Sequence, residues 1–389
     1  MSGRPRREPG APVRDDVIGL VTSLVAIDSV NPSLVAGGAG EGAIAAFIAG
    51  WARDAGLEVE ILEETPGRPS VLVRARGTGG GRTLMLCGHV DTVSVEGMPD
   101  AHRPRVDGDR LHGRGAYDMK AGVTAALLAC REAGAQNLAG DVVVAAVADE
   151  EHASLGVREA LRAVTPDAAI VTEPTELAVA VAHKGFVWAE LEISGVAAHG
   201  SRPHLGVDAI VKAGPILTAI GQLDADLAAR RHALLGRGSV HGSTINGGIE
   251  MSSYPDRCRI GIERRTLPGE TADAVRAEID AILDRCRAAD PELVVEHRPG
   301  LVREPFEVGA GEEIVTLVSE AAAEALGRPP ELGGVSYWAD SAFIAAAGVP
   351  TVLLGPGGHG AHGTDEWVSI ADTEAVTRAL VGAAARVCS

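Results

Sequence analysis

Three mainly apolar runs, each followed within two residues by a polar side chain, constrain the fold of this chain most. The runs RTLMLC, VVVAAVA and AAIVT precede His89, Asp149 and Glu173, and their lack of polar alternation predicts strands buried on both faces. Helical patterns such as MKAGVTAALLACREAG lie between strands, which indicates a parallel or mixed α/β sheet. Ligands of such sheets bind at the carboxyl ends of the strands, so we expect a functional site there.

Five imidazole and carboxylate side chains could surround one pair of metal ions. They are His89 in GHVDT, Asp118 in GRGAYDMKAG, Glu151 in ADEE, Glu173 in VTEPTE and His362 in GAHGTDEW. Nitrogen and oxygen donors of this kind suit zinc, manganese or cobalt, and two metals that share a carboxylate suit the hydrolysis of an amide. An isolated His or Glu is more often a surface residue, but several strands that each end in a potential ligand favour a common site.

Two further carboxylates, Asp91 and Glu150, accompany these candidates. Residues i and i+2 of a strand face the same side, so Asp91 is expected to accept a hydrogen bond from the ligating imidazole of His89. The adjacent Glu150 and Glu151 point in different directions, so that one can bind metal while the other acts as a general base on water. Asp118 precedes a helix, whose amino end favours an anion, and is suited to bridge two cations.

The chain is predicted to contain two folded domains after a short tail. Residues 1–16, MSGRPRREPGAPVRDD, are charged and proline-rich and are expected to be disordered. The change to period-two strands predicts a compact α+β unit inserted at 183–296. The segments 17–182 and 297–389 then form one larger, discontinuous α/β domain. The glycine-rich segment 77–82 precedes a strand, so it is interpreted as a hairpin turn and not as a phosphate-binding loop.

Composition excludes several kinds of partner. The formal net charge of −18 argues against nucleic acid, whose binding needs clustered Lys and Arg. No apolar run approaches the roughly 20 residues of a membrane span, and the first residues lack the apolar core of a signal peptide. The five cysteines form no close CxxC pair, which favours reduced thiols and a cytoplasmic location.

Seven dispersed motifs resemble one known family. GHVDT, GRGAYDMKAG, ADEE, the Glu of VTEPTE, AAHGSRP, ERRTLPGE and AHGTDEW are similar to those of the metallopeptidases and amidohydrolases that include acetylornithine deacetylase, succinyl-diaminopimelate desuccinylase and glutamate carboxypeptidase. The resemblance extends from about residue 17 to the end. It implies a zinc-peptidase-like catalytic domain with a mostly parallel sheet flanked by helices, and an inserted lid domain that forms a homodimer.

The resemblance also implies two divalent metal ions, zinc in the first place, with cobalt or manganese as alternatives. One ion would be bound by His89, Asp118 and Glu173. The second would be bound by Asp118, Glu151 and His362, with Asp118 as the bridging carboxylate.

Further roles follow from the same resemblance. Glu150 would be the general base and Asp91 the orienting carboxylate, while His199 in AAHGSRP would donate to the oxyanion, often across a dimer interface. Arg265 in ERRTLPGE is either the fork that holds a substrate carboxylate or a surface arginine on a strand. Gly357 in the GPGG segment either donates its N–H to the same carboxylate or belongs to an ordinary turn.

The leading functional hypothesis is the hydrolysis of an N-acyl amino acid or a related small amide that carries a carboxylate. A deacylase is favoured over a metallo-carboxypeptidase or dipeptidase. A non-catalytic binding protein on the same fold is disfavoured, because it would not need a free base beside a metal. A metal-dependent enzyme of another reaction type, such as a decarboxylase, is a third alternative. Tyr117 and the pair Ser252 and Ser253 depart from the family pattern near the expected pocket, so no named substrate is transferred.

Overall fold

The computed structural model describes residues 14–389. The α-helices within this range are α1 (Arg14–Val25), α2 (Gly42–Asp54), α3 (Ala121–Gly134), α4 (Leu155–Ala163), α5 (Ala209–Leu227), α6 (Ala272–Ala289), α7 (Glu313–Leu326), α8 (Ser341–Ala346) and α9 (Ile370–Val387). None of these helices combines the length and the apolar character that a bilayer crossing requires.

The strands of the same range vary in length. They are β1 (Glu58–Leu62), β2 (Ser70–Ala75), β3 (Leu84–His89), β4 (Arg105–Asp107), β5 (Arg110–His112), β6 (Val142–Val147), β7 (Ala168–Val171), β8 (Val179–His183), β9 (Gly185–Ser194), β10 (Ala198–His199), β11 (Arg231–His232), β12 (Gly236–Arg237), β13 (Ser239–Gly247), β14 (Ser253–Tyr254), β15 (Arg257–Thr266), β16 (Val294–Arg303), β17 (Phe306–Glu307), β18 (Leu332–Val335), β19 (Thr351–Leu353), β20 (Gly358–His359) and β21 (Trp367–Ser369). The longest are β9, β13, β15 and β16.

The first helix begins earlier than the sequence suggested. Because α1 starts at Arg14, the predicted disordered tail 1–16 is three residues too long, and its remainder lies outside the described residues. Two aspartates in the first turn of α1 interact favourably with the helix dipole. The guanidinium of Arg14 contacts Asp109 at 2.9 Å and Glu374 at 3.2 Å, which extends the helix to its first described residue.

The described chain divides into two compact units. The larger unit comprises 14–181, 308–333 and 339–389, and the smaller comprises 182–307 and 334–338. The smaller unit extends beyond the predicted boundary at 296 because β16 continues to Arg303 and pairs with β9 along that length. The larger unit is therefore built from separated segments of the chain.

Seven strands of a nine-stranded sheet form the centre of the larger unit, in the order β1-β2-β6-β3-β7-β19-β8. The central strands β6, β3, β7 and β19 are parallel, whereas β1, β2 and β8 run antiparallel to their neighbours. Every residue of β3 and β6 is buried, as expected for strands covered on both faces. The predicted mixed α/β sheet is confirmed. The segment 77–82 is not a hairpin, however, because β6 lies between β2 and β3.

The core of the larger unit is made of aliphatic side chains. Helices α1, α2, α3, α7 and α9 contribute to one buried cluster together with alternate residues of β2, β3 and β6. Aromatic residues are only 3% of the chain, so Ala, Val, Leu and Ile fill this space. The result is a rigid sheet whose carboxyl-terminal edge carries the candidate site.

The smaller unit is an antiparallel sheet covered by two helices. Its strand order is β13-β15-β9-β16, and buried positions alternate along β9 and β15. Helices α5 and α6 bury their apolar faces against this sheet in a second core. Asp208 caps α5 by accepting from the N–H groups of Ile210 and Val211. Strand β13 lies at the edge of the sheet.

Candidate active site

The larger unit brings polar side chains from three neighbouring strands to one edge of its sheet. Strands β6, β3 and β7 are adjacent and parallel, so their carboxyl ends lie side by side. His89 is the last residue of β3, Glu150 and Glu151 follow β6, and Glu173 follows β7. The predicted position of the site is thus the place where open α/β sheets bind ligands.

Asp118 lies between two imidazoles. Its Oδ1 is 3.1 Å from Nε2 of His89, and its Oδ2 is 3.4 Å from Nε2 of His362. Nε2 of His362 is also 3.1 Å from a carboxylate oxygen of Glu151. One carboxylate therefore faces both imidazoles with a separate oxygen for each, which is the arrangement that a bridging ligand requires.

The structure brings together all five predicted ligands and Glu150. Nε2 of His89 lies 3.6 Å from Glu173 and 4.0 Å from Glu150. Two sets of three donors have ligand atoms within 4.8 Å of one another, namely His89, Asp118 and Glu151, and His89, Glu150 and Glu173. By these distances alone, Glu150 could either bind a metal ion itself or act as a base on water beside it.

Burial disfavours the charged form of the carboxyl groups that converge at this edge of the sheet. It raises the pKa of the carboxyls of Glu150 and Glu173 well above their usual range and raises that of Glu151. Hydrogen bonds with Asp118 and Glu151 raise the pKa of His362 to about 10. Bound divalent cations would offset such a concentration of carboxylates, and imidazole with carboxylate donors suits zinc, manganese or cobalt. The side chains present therefore fit a pair of divalent ions.

Asp91 has a different contact from the one predicted. The Nδ1 atom of His89 lies 3.0 Å from the backbone carbonyl oxygen of Asp91, and the nearer carboxylate oxygen is 3.7 Å away. The carboxylate instead accepts the backbone N–H groups of Glu150 at 3.1 Å and Glu151 at 3.2 Å. It therefore fixes the loop that carries these two glutamates, while the main chain of Asp91 orients the imidazole.

The turn around Asp118 is held by a glutamate that sequence reasoning missed. Glu366 accepts hydrogen bonds from the backbone N–H groups of Gly115, Tyr117 and Asp118 at 2.9–3.1 Å and from the guanidinium of Arg114 at 2.7 Å. Helix α3 starts three residues after Asp118, so a carboxylate, and not the helix amino end, organises this turn. The sequence carried a signal for this contact, because Glu366 lies in the motif AHGTDEW beside His362 and Arg114 lies in the motif GRGAYDMKAG beside Asp118.

Two predicted site residues lie in the smaller unit. His199 is exposed on β10, and its Nδ1 lies 2.7 Å from the hydroxyl of Ser201. Arg265 is partly exposed on β15; it contacts Glu263 at 2.6 Å and stacks 5.0 Å over the ring of Phe186. Both side chains keep polar groups available at the surface of their own unit.

The backbone N–H of Gly357, a candidate donor to a substrate carboxylate, already has a partner within the chain. Its backbone N–H is directed at Asp372 at 3.2 Å, and that of Gly358 is directed at Glu176 at 3.3 Å. Glu176 also accepts the hydroxyl of Tyr117. The N–H groups of Gly357 and Gly358 are therefore occupied by carboxylates of the chain itself, and that of Gly355 donates to the hydroxyl of Thr175, which disfavours the interpretation that Gly357 faces a substrate carboxylate.

A sheet edge that holds two imidazoles and four carboxyl groups, in an α/β unit with a separate antiparallel unit inserted, is typical of metal-dependent hydrolases. The profile of peptidase family M20/M25/M40 matches residues 85–386, and the chain belongs to this family. It is accordingly a hydrolase of C–N bonds, which confirms the resemblance carried by the seven motifs.

Similar proteins agree over almost the whole length. An acetylornithine deacetylase from Proteus mirabilis is 30% identical over 94% of this chain and 95% of its own. An N-formyl-4-amino-5-aminomethyl-2-methylpyrimidine deformylase from Bacillus subtilis is 28% identical over 89% of each chain. A solved structure of a dinuclear metal binding peptidase of family M20 from Bacillus subtilis superposes with a TM-score of 0.74 at 16% identity, covering 96% of this chain and 98% of its own. The last likeness establishes the fold.

Proposed function

We propose that this chain is a deacylase that hydrolyses the amide of an N-acyl amino acid or a related small molecule with a carboxylate. The observation that carries this proposal is the convergence of His89, Asp118, Glu151, Glu173 and His362 around a bridging carboxylate, with Glu150 beside them. The relatives that are named a deacetylase and a deformylase support the removal of an acyl group.

The proposed ligand sets are those that the motifs implied. His89, Asp118 and Glu173 would hold one ion, and Asp118, Glu151 and His362 would hold the other. Zinc is the first choice, and cobalt and manganese suit the same donors. When bound, such ions polarise the scissile carbonyl and increase the acidity of water.

Glu150 is the proposed general base. Its side chain is only 9% exposed and lies 4.0 Å from the imidazole of His89, at the same sheet edge as the ligands. A carboxylate at this position accepts a proton from the attacking water and returns it to the leaving amine. The hydrogen bond from the N–H of Glu150 to Asp91 holds the base in place while it exchanges the proton.

The smaller unit is proposed to act on the substrate. The exposed imidazole of His199 would donate to the oxyanion that forms during attack. Arg265 would bind the substrate carboxylate, since its planar fork allows two parallel hydrogen bonds.

We also propose a cytoplasmic homodimer that forms through the smaller unit. Apolar side chains are exposed on α5 and on the edge strand β13, among them Val211, Leu217 and Ile245, and an unpaired strand edge is suited to a second copy. All five cysteines are buried with free thiols, which supports a reducing compartment.

A substrate panel tests the proposed function. The metal-free protein is loaded with zinc, cobalt or manganese and incubated with N-acetyl, N-formyl and N-succinyl amino acids and with dipeptides, and the released amine is quantified. We expect release from N-acyl amino acids that is abolished by a chelator and by Glu150→Gln. Release from dipeptides alone would establish a peptidase instead, and no release from any member would refute amide hydrolysis.

A further inference from the structure

A buried chain of polar contacts runs from the loops of the larger unit to the base of the candidate site. The guanidinium of Arg68 binds Glu41 through two atoms, at 2.8 and 2.7 Å, and binds Asp149 at 2.7 Å. Asn31 then links Asp149 to Asp91, since its Nδ2 donates to the former at 3.0 Å and to the latter at 2.7 Å. Four of these five residues are wholly buried, and Arg68 is 7% exposed.

Stability does not by itself account for this arrangement. Removing charges from water is expensive, and a well-packed apolar replacement of a buried ion pair is often neutral or stabilising. Here one guanidinium faces two buried carboxylates, Glu41 and Asp149. Such a network favours one conformation of the residues it joins, and its end point indicates which segment of the chain it holds in place.

That end point is the segment before the two site glutamates. Asp149 has a φ of +68°, a left-handed conformation that non-glycine residues rarely adopt and that the surroundings must enforce. Its side chain is held by Arg68 and Asn31, and its carbonyl accepts the N–H groups of the next turn. This reversal of the chain directs Glu150 and Glu151, the next two residues, into the site.

We propose that Asn31 and Arg68 are positioning residues that fix the segment 149–151 and, through Asp91, set the placement of Glu150 and Glu151. This inference rests on the proposed function for the roles of these two glutamates. The side chains of Asn31 and Arg68 donate to Asp91, Asp149, Glu41 and Ser33, none of which is a proposed metal ligand. They act by holding Asp149 in its left-handed conformation and by holding the Asp91 carboxylate against the N–H groups of both glutamates.

Two consequences distinguish positioning from general stabilisation. Glu151 belongs to only one of the two proposed ligand sets, so loosening this segment weakens one ion more than the other. Glu150 would be displaced as well, so kcat falls even at saturating metal while KM stays near its normal value, because substrate contacts are unaffected. Loss of a contact that orients a metal ligand lowers affinity or activity by roughly 10- to 100-fold.

The experiment compares Asn31→Ala and Arg68→Lys with the unaltered protein and with Arg74→Lys. Arg74 is the next arginine along the chain and pairs with Asp141 at 2.9 Å, away from this network. Cobalt is titrated into each metal-free protein and followed by visible absorption and by competition with a chelator. Circular dichroism checks folding, and Asn31→Ala keeps the proposal testable if Arg68→Lys does not fold, because it leaves the ion pairs intact.

We expect both variants to bind one of the two cobalt ions about 10- to 100-fold more weakly and to show an altered absorption spectrum, with Arg74→Lys unchanged. Amide hydrogen exchange of the segment 150–154 should also be faster in the metal-free variants. Unchanged metal constants and unchanged exchange would overturn the proposal. If the unaltered protein hydrolyses no amide, the proposed function fails, but the cobalt titration and the exchange rates still decide whether Asn31 and Arg68 position this segment.

Discussion

Replacing Glu366 by glutamine would test how strongly one carboxylate organises the turn of the bridging ligand. In the structure Oε2 accepts from Arg114 at 2.7 Å and from the N–H of Gly115 at 3.0 Å, while Oε1 accepts from the N–H groups of Tyr117 and Asp118. A glutamine side chain can replace only one of these oxygens as an acceptor. Its NH₂ group would then face two donors, whichever way the amide is turned.

The size of the expected loss of stability follows from the burial of the ion pair between Arg114 and Glu366. The side chains of Arg114 and Glu366 are 3% and 1% exposed, so Glu366→Gln leaves a buried guanidinium without its charged partner. Breaking a buried ion pair in this way lowers the free energy of unfolding by about 3–5 kcal/mol. Because the turn that carries Asp118 loses two of the four hydrogen bonds that Glu366 accepts there, both metal ions should also bind more weakly, by roughly 10- to 100-fold.

Urea unfolding of the metal-free protein measures the first effect, and a metal titration measures the second. Glu374→Gln is the matched control, since Glu374 pairs with the half-exposed Arg14 at 3.2 Å and an exposed pair contributes only about 0–1 kcal/mol. A loss of stability no larger than that of the control, together with unchanged metal affinity, would refute the role assigned to Glu366.

Three further predictions concern the proposed chemistry. Glu150→Gln should keep close to two metal ions per chain by elemental analysis and lose roughly 10²–10⁴-fold in kcat; near-normal turnover would remove Glu150 as the base. Asp118→Ala should weaken both ions, whereas full loss of one ion with normal affinity for the other would make Asp118 a terminal ligand. His199→Ala should lower kcat strongly with metal content and circular dichroism intact, and activity regained on subunit exchange with Glu150→Gln would show that His199 acts on a partner subunit's site.

The apolar strands made the sheet edge predictable from the sequence. Runs buried on both faces predicted that β3, β6 and β7 are strands of a parallel or mixed sheet, whose ligands bind at the carboxyl ends of the strands. His89, Glu151 and Glu173 could therefore be expected at one place. The motifs supplied Asp118 and His362, which come from loops whose path no periodicity describes.

The contacts behind the site were not predictable in the same way. Arg68 and Asn31 lie in loops with no periodic pattern, and only the folded chain shows that both reach Asp149. Asp91 was expected to bind the imidazole of His89 with its carboxylate, but it lies beyond the end of β3 and its carboxylate accepts the N–H groups of Glu150 and Glu151 instead. The hairpin expected at 77–82 failed because pairing of β2 and β3 with the later strand β6 is a non-local event.

The strand order also governs when this protein can assemble during its synthesis. Strand β19 lies between β7 and β8, yet it is made roughly 180 residues after β7, which takes about 10–40 s at the ribosome. Until then the nascent sheet has a gap beside β7, where an apolar edge is open to other chains and to chaperones. His362 emerges later still, so the candidate metal site is completed only after β19 has been made.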